Sequence, residues 1–464
     1  MEEIMNNQNQ AEMGNPLESE PIGKLMRRFA GPAVVSSMVS ALYNIIDQIF
    51  IGRSIGPPGN AATNVAFPLV MLMAALSMTF GVGGASNFSL CLGKGEKEKA
   101  GKTAGNSLVL MMGSGVLLAA ITLLFLKPLM EAFGARDRVL VLAMEYTGLT
   151  AFGVPFATLS SGGSQLVRAD GSPRYAMLSS LAGVAVNTVL DPVFIFGMGL
   201  GIKGAALATV LGQAVSGILL LFYFRNCKTV RLTRCDFKPA GWCAKAILAL
   251  GSSSGVNQLA VAGMQIVMNN TLGYYGELSV YGRDIPLACV GIVTKVNVIF
   301  SSVIMGISQS CQPIFGFNYG AANFKRVKET FKKAAAAVTA VSVLAFLCFQ
   351  LLPHRIIGIF GRGGSLYYEF ATRYLRIYMF CIFMGGIQIL TANLFPSIGK
   401  GTIGVWVSLS RQMLFLLPLI LILPLFSGID GVLFAGPLAD GAAGILAVIL
   451  AAREMKQWNK EIRD

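Results

Sequence analysis

Two carboxylates stand where an apolar chain has no ordinary use for them. Val186-Asn187-Thr188-Val189-Leu190-Asp191-Pro192-Val193 is an apolar run interrupted by one amide and one acid. Asn187 and Asp191 are four apart, so on a helix they share a face. No Lys or Arg lies within the run; its flanks are Arg174 and a glycine-rich turn at 197–201. An acid in hydrocarbon is costly unless it faces a polar cavity, so Asp191 reads as a substrate or ion site. Pro192 lacks an N–H, which leaves the Thr188 carbonyl without its helical partner beside the acid. The second acid lies in Leu42-Tyr43-Asn44-Ile45-Ile46-Asp47-Gln48, where Tyr43, Asn44 and Asp47 can share one helical face. Thr209 adds a hydroxyl from a later apolar stretch. Arg53 lies about 240° around the helix from Asp47 and is not set to neutralise it. Two carboxylates in a low-dielectric cavity resist ionising together, which suits the uptake of a proton or a small cation.

The elements that must hold these groups are membrane helices. Of 464 residues, 54% are apolar and only 13% charged, against about 25% charged in soluble domains. The mean hydropathy is +0.64. Long apolar stretches recur at roughly 29–52, 61–90, 104–126, 139–161, 175–198, 205–224, 245–274, 286–317, 333–352, 368–394, 403–426 and 432–452, so the expectation is an all-α polytopic membrane protein of twelve spans. The net charge of +14 falls in loops, where it orients the chain rather than binding nucleic acid. One set of loops and the chain ends carry 24 basic residues and the other set 8, which puts both termini in the cytoplasm. Residues 1–23 are polar and acidic and read as a disordered tail.

Enzymatic readings lack their residues. Neither aspartate sits in a Gly-x-Gly-Asp context, no Ser/His pair suits a membrane protease, and the lone His354 lies in an outer loop. The loop at 95–103 has five residues between its glycines where a phosphate loop needs four. Eight scattered cysteines without a CxxC pair suggest neither a disulfide framework nor a zinc site. Among the remaining span charges, Asp440 is expected to pair with Lys295 or Arg411.

The chain repeats itself. Gly81 through Gly95 resembles Gly306 through Gly320, Phe133-Gly134 recurs as Phe360-Gly361, and Tyr146 as Tyr374. Gly201-Ile202-Lys203-Gly204 recurs as Gly428-Ile429-Asp430-Gly431, with offsets of 225 to 228 throughout. Two six-helix halves of the same orientation follow, an N-terminal lobe over 24–224 and a C-terminal lobe over 245–464, joined by a cytoplasmic linker at 225–244. The same alignment sets Phe415 at Asn187 and Leu419 at Asp191, so the second half lacks the acidic site.

At Leu42-Tyr43-Asn44 with Asp47, Asn187 with Leu190-Asp191-Pro192, and Thr209, the chain resembles the multidrug and toxic compound extrusion (MATE) family, in its DinF-like and MepA-like bacterial branch. The resemblance covers nearly all of the chain after the tail. It implies the MATE fold of two pseudo-symmetric six-helix lobes, a monomer in the bacterial cytoplasmic membrane among lipids, and export of organic cations in exchange for H⁺ or Na⁺. It implies no cofactor beyond that ion, whose site would be Asp47, Asn187, Asp191 and Thr209. Tyr43, Asn44 and Tyr146 would line the nearby path. Pro32 would be the hinge of the first helix, although by position it fits a first turn equally well. NorM-like members carry acids in the seventh and tenth helices, where this chain offers Gln258, Gln265 and Gln388. Lipid-linked oligosaccharide flippases, whose cavities are basic, belong to the same superfamily and are the alternative.

Overall fold

The computed structural model describes residues 16–360 and 364–462, which are overwhelmingly helical. Hydrocarbon offers nothing to backbone N–H and C=O groups, so apolar stretches of this length close their own hydrogen bonds as helices. The first half contains α1 (Ile22–Ile55), α2 (Pro57–Gly93), α3 (Lys97–Leu124), α4 (Asp137–Thr150), α5 (Val154–Ala169), α6 (Pro173–Pro192) and α7 (Ile202–Arg225). The second contains α8 (Gly241–Glu277), α9 (Asp284–Gly320), α10 (Phe324–Leu351), α11 (Ser365–Tyr378), α12 (Ile382–Ser397), α13 (Gly401–Leu409), α14 (Leu417–Ser427) and α15 (Ile429–Glu461).

Among the described residues, ten stretches are long and apolar enough to cross a membrane, or eleven if α11 and α12, bent by 49°, form one span. The expected count of twelve included 245–274, and that stretch departs from the rest. It lies in α8, a helix of 37 residues. Asn257, Gln258 and Gln265 on it line a central cavity, so this helix is not apolar all round. The expected span 139–161 is longer than its apolar run: α4 passes through a 3-10 stretch over Ala151–Gly153 into α5, which runs on to Ala169 and brings Arg168 into the helix.

The tail expectation needs correction over 16–23; residues 1–15 lie outside the described residues. Pro16–Ser19 forms a helical turn with Leu17 buried, and Arg326 donates to the carbonyls of Leu17 and Glu20 at 3.0 and 2.6 Å. The linker is docked as well. Asn106 donates to the carbonyls of Asp236 and Lys238 at 3.0 and 3.2 Å and accepts from the Ala240 amide at 2.9 Å.

The two largest seams between the halves are α2 against α8 and α1 against α9. At the first, a Cβ on Gly251 would strike the Thr79 carbonyl and one on Gly83 the Ile247 carbonyl, so glycine is what lets the backbones meet. At the second, Gly306 faces the backbone of Val34, two residues beyond Pro32. These contacts lie toward the N-termini of α1 and α8 and the C-termini of α2 and α9, closing one end of the bundle. Within each half a similar ion pair recurs with its signs exchanged. Glu145 on α4 meets Lys203 on α7 at 3.1 Å, and Arg373 on α11 meets Asp430 on α15 at 2.8 Å. The offsets are 228 and 227, those of the sequence repeat.

Candidate functional site

Four helices of the first half converge on the two acids. α1 brings Tyr43 and Asp47, α6 brings Asn187 and Asp191, α7 brings Thr209 and α4 brings Tyr146. α6 and α7 approach closely one turn before Asn187: a Cβ on Gly183 would lie 2.6 Å from the Gly212 carbonyl, and the reverse also holds. That approach lets the Asn187 amide donate to the Thr209 hydroxyl at 3.3 Å. Tyr43 and Tyr146 sit beside Thr209 and the two acids. The two acids also sense one another. Immediately after Pro192 the helix widens into a π-helical segment, Val193–Gly197, as a missing N–H beside the acid would favour.

The acids are sealed from bulk water and carry oxygens without partners. Asp47, Asn187 and Asp191 are 6%, 2% and 1% exposed. Both carboxylate oxygens of Asp191, Oδ1 of Asp47 and Oδ1 of Asn187 find no hydrogen-bond partner in the protein. Buried polar atoms are ordinarily satisfied, and orphaned ones call for an explanation. A proton shared by the carboxylates, or a cation held by these oxygens, would satisfy them. Arg53 is exposed and forms no ion pair among the described residues, so it leaves both acids unneutralised.

Asn44 lines the cavity with Tyr43 and donates to the Ser40 carbonyl at 2.8 Å. Pro32 lies ten residues into α1 and so is an interior proline, which removes the first-turn reading.

Between the halves lies a cavity of about 800 Å³. Tyr43, Asn187 and Thr209 form part of its wall, while Asp47 and Asp191 lie behind them, outside the lining. From the other half come Gln258, Gln265 and Gln388, with no carboxylate among the lining residues. The charged lining residues are Arg168 and Arg411. Arg411 is paired with the buried Asp440; Lys295, the other expected partner, is exposed.

Arg168 counts among the 24 basic residues that the sequence assigns to loops and chain ends, whereas it lies within α5 and lines the cavity. The available signal was Gln165, three residues earlier and hence on the same helical face.

Comparison with known proteins places the chain in a family and a fold. The profile of the MatE family matches residues 32–193 and 254–422. The chain is 25% identical over 434 residues to the multidrug export protein MepA of Staphylococcus aureus (strain N315), covering 93% of this chain and 94% of that protein. MepA of Staphylococcus haemolyticus (strain JCSC1435) is similar at the same identity and coverage. Among solved structures, the outward-facing conformation of a multidrug resistance MATE family transporter of the MOP superfamily superposes with a TM-score of 0.89. Its sequence is 23% identical, over 97% of this chain and 99% of that one.

Proposed function

Because the chain belongs to the MatE family of transporters, which is not a family of enzymes, we propose that it is a MepA-like bacterial exporter. It moves organic compounds out across the cytoplasmic membrane, with both termini inside, in exchange for inward-moving H⁺ or Na⁺. The carrying observation is the set of four buried, unpartnered oxygens on Asp47, Asn187 and Asp191 directly behind the cavity wall. Ion uptake neutralises the acid pair. Tyr43, Asn187 and Thr209 belong both to the ion cluster and to the wall, so the arriving ion changes the surface that the cargo touches. Cargo affinity then differs between the loaded and empty states, as coupled exchange requires. The resemblance suggested cationic cargo, but the wall supplies no carboxylate through which to attract one.

Reconstituted vesicles test this reading. Export of a fluorescent compound should accelerate under an imposed ΔpH or ΔNa⁺ and should lose that acceleration in Asp191→Asn. Transport indifferent to both gradients would sink it. A lipid-linked oligosaccharide flippase remains the second reading, favoured by Arg168 in the wall, which has no acidic partner among the described residues. Rescue of glycan export in a flippase-deficient strain, without efflux of the fluorescent compound, would select it.

A further inference from the structure

Arg168 is a buried cation with no counter-ion. It is 6% exposed, lies on α5 at the end of the cavity nearest the closed seams, and forms no ion pair among the described residues. One terminal nitrogen donates to Gln309 Oε1 at 3.0 Å and to Gln165 Oε1 at 3.4 Å, and Gln165 in turn donates to Gln309 at 3.0 Å. Gln309 belongs to α9, so this small network crosses between the halves. The nearest acid in sequence, Asp170, is occupied elsewhere. It accepts from the Tyr223 hydroxyl and the Lys228 amide at 2.7 Å each, and from the Thr229 amide at 3.0 Å and the Thr229 hydroxyl.

Two neutral glutamine oxygens hold the guanidinium in place without cancelling its charge. They engage one nitrogen only. Among the described residues Nε and the other terminal nitrogen bond to no protein atom, and neither is sealed from the cavity that Arg168 lines, so this edge is open to it. That edge carries parallel N–H donors in the geometry that receives a carboxylate or phosphate bidentately. The other arginine of the wall differs, since Asp440 already neutralises it.

We propose that Arg168 is the anion-binding residue of the cavity and that the protein accepts cargo bearing a carboxylate or phosphate group, as an organic anion or a zwitterion. The carboxylate or phosphate docks on the free edge of the guanidinium, while Gln165 and Gln309 keep the side chain aimed. This rests on the reading of the cavity as the cargo path.

The test is equilibrium binding to purified, delipidated protein in neutral detergent, using the fluorescent 7-methoxycoumarin-3-carboxylic acid and its uncharged methyl ester as probes. The acid should bind the wild type more tightly than the ester does. Arg168→Gln should weaken the acid about tenfold or more, the scale of a charge-assisted hydrogen bond, and leave the ester unchanged. Arg168→Lys, which keeps the charge without the fork, should fall between. Equal binding of acid and ester to the wild type would overturn the proposal. So would parallel weakening of both probes in Arg168→Gln, since that is the result of a purely structural role. If Arg168→Gln fails to fold, the wild-type contrast and Arg168→Lys still decide. Phosphatidylglycerol titrated into the acid complex identifies the natural source of the anion. Displacement points to a lipid headgroup and its absence to a soluble cargo, and either keeps the anion at Arg168. Failure of ion coupling is read separately: wild-type export indifferent to both ΔpH and ΔNa⁺ refutes the exchanger reading and leaves the binding contrast untouched.

Discussion

In the first half of the molecule Asp47 and Asp191 are buried with no cation beside them; in the second, Asp440 is buried to a similar degree against Arg411. The repeat makes the two regions comparable. By the offset of 228 that sets Phe415 at Asn187, Arg411 falls at Gly183. Gly183 meets the backbone of Gly212 with no side chain between, whereas Arg411 spans to Asp440 on α15. Tyr146 beside the acids corresponds to Tyr374, which lines the cavity near the ion pair. One scaffold thus holds two opposite electrostatic solutions. An ion pair neutralises itself and can serve as a fixed frame, while unpartnered carboxylates await a charge from outside. On the proposed reading, the moving chemistry belongs to the first half and the static support to the second.

The strongest way to break that contrast is Asp191→Asn. Gradient-driven export should fall to background while the melting temperature in detergent stays within a degree or two of wild type, because the carboxylate removed makes no bond to the protein. Wild-type efflux at normal expression would mean that Asp191 is not the coupling acid. Asp440→Asn should behave in the opposite way. It leaves Arg411 without its counter-ion, at a cost on the order of 3 kcal/mol, and Arg411→Gln added to it should recover much of the loss. A variant that keeps its melting point and loses ion coupling would move the working acid to the second half.

Much of this contrast was legible in the sequence. Asp47, Asn187, Asp191 and Thr209 were recognisable because polar residues at helical spacing in an apolar run have few other uses, and the structure brings them together with Tyr43 and Tyr146. The partner of Asp440 was narrowed to two candidates, since only position in space separates Lys295 from Arg411. Asn44 faces the cavity, and its bond to its own backbone at Ser40 is a choice that periodicity does not encode. Arg168 was hidden by its own flanks: a basic residue before Asp-Gly-Ser-Pro reads as a loop charge, and its partner Gln309 lies 141 positions away. The N-terminal turn at 16–19 was hidden for a similar reason, because its anchor is Arg326 in the other half.

Pro32 concerns how the halves communicate, and its expected effect is smaller. The residue is interior to α1, leaves the Arg28 carbonyl without its helical donor, and lies two residues before the close contact of Val34 with Gly306. If bending here relays neutralisation of Asp47 to the α1/α9 seam, Pro32→Ala should bind cargo as the wild type does and export it several-fold more slowly. Equilibrium binding in detergent and efflux in vesicles must be measured on the same preparation. Wild-type values in both would remove the hinge from the mechanism.

The smallest effect is the one that tests the comparison most directly. Glu145–Lys203 and Arg373–Asp430 occupy matching positions with opposite polarity, so each half tolerates its own sign and neither sign is imposed by the scaffold. The side chains of Lys203 and Glu145 are 51% and 34% exposed, which limits the pair to about 0.5 kcal/mol after solvent screening. Reversing it as Glu145→Lys with Lys203→Glu gives the first half the polarity found in the second. The double variant should melt within about a degree of wild type, and either single change, which sets like charges together, should melt slightly lower. That difference should shrink in concentrated salt, because exposed charges are screened there. A double variant as unstable as the singles would mean that polarity at this position is fixed by its own half, and the two lobes would no longer be interchangeable frames around a single acidic site.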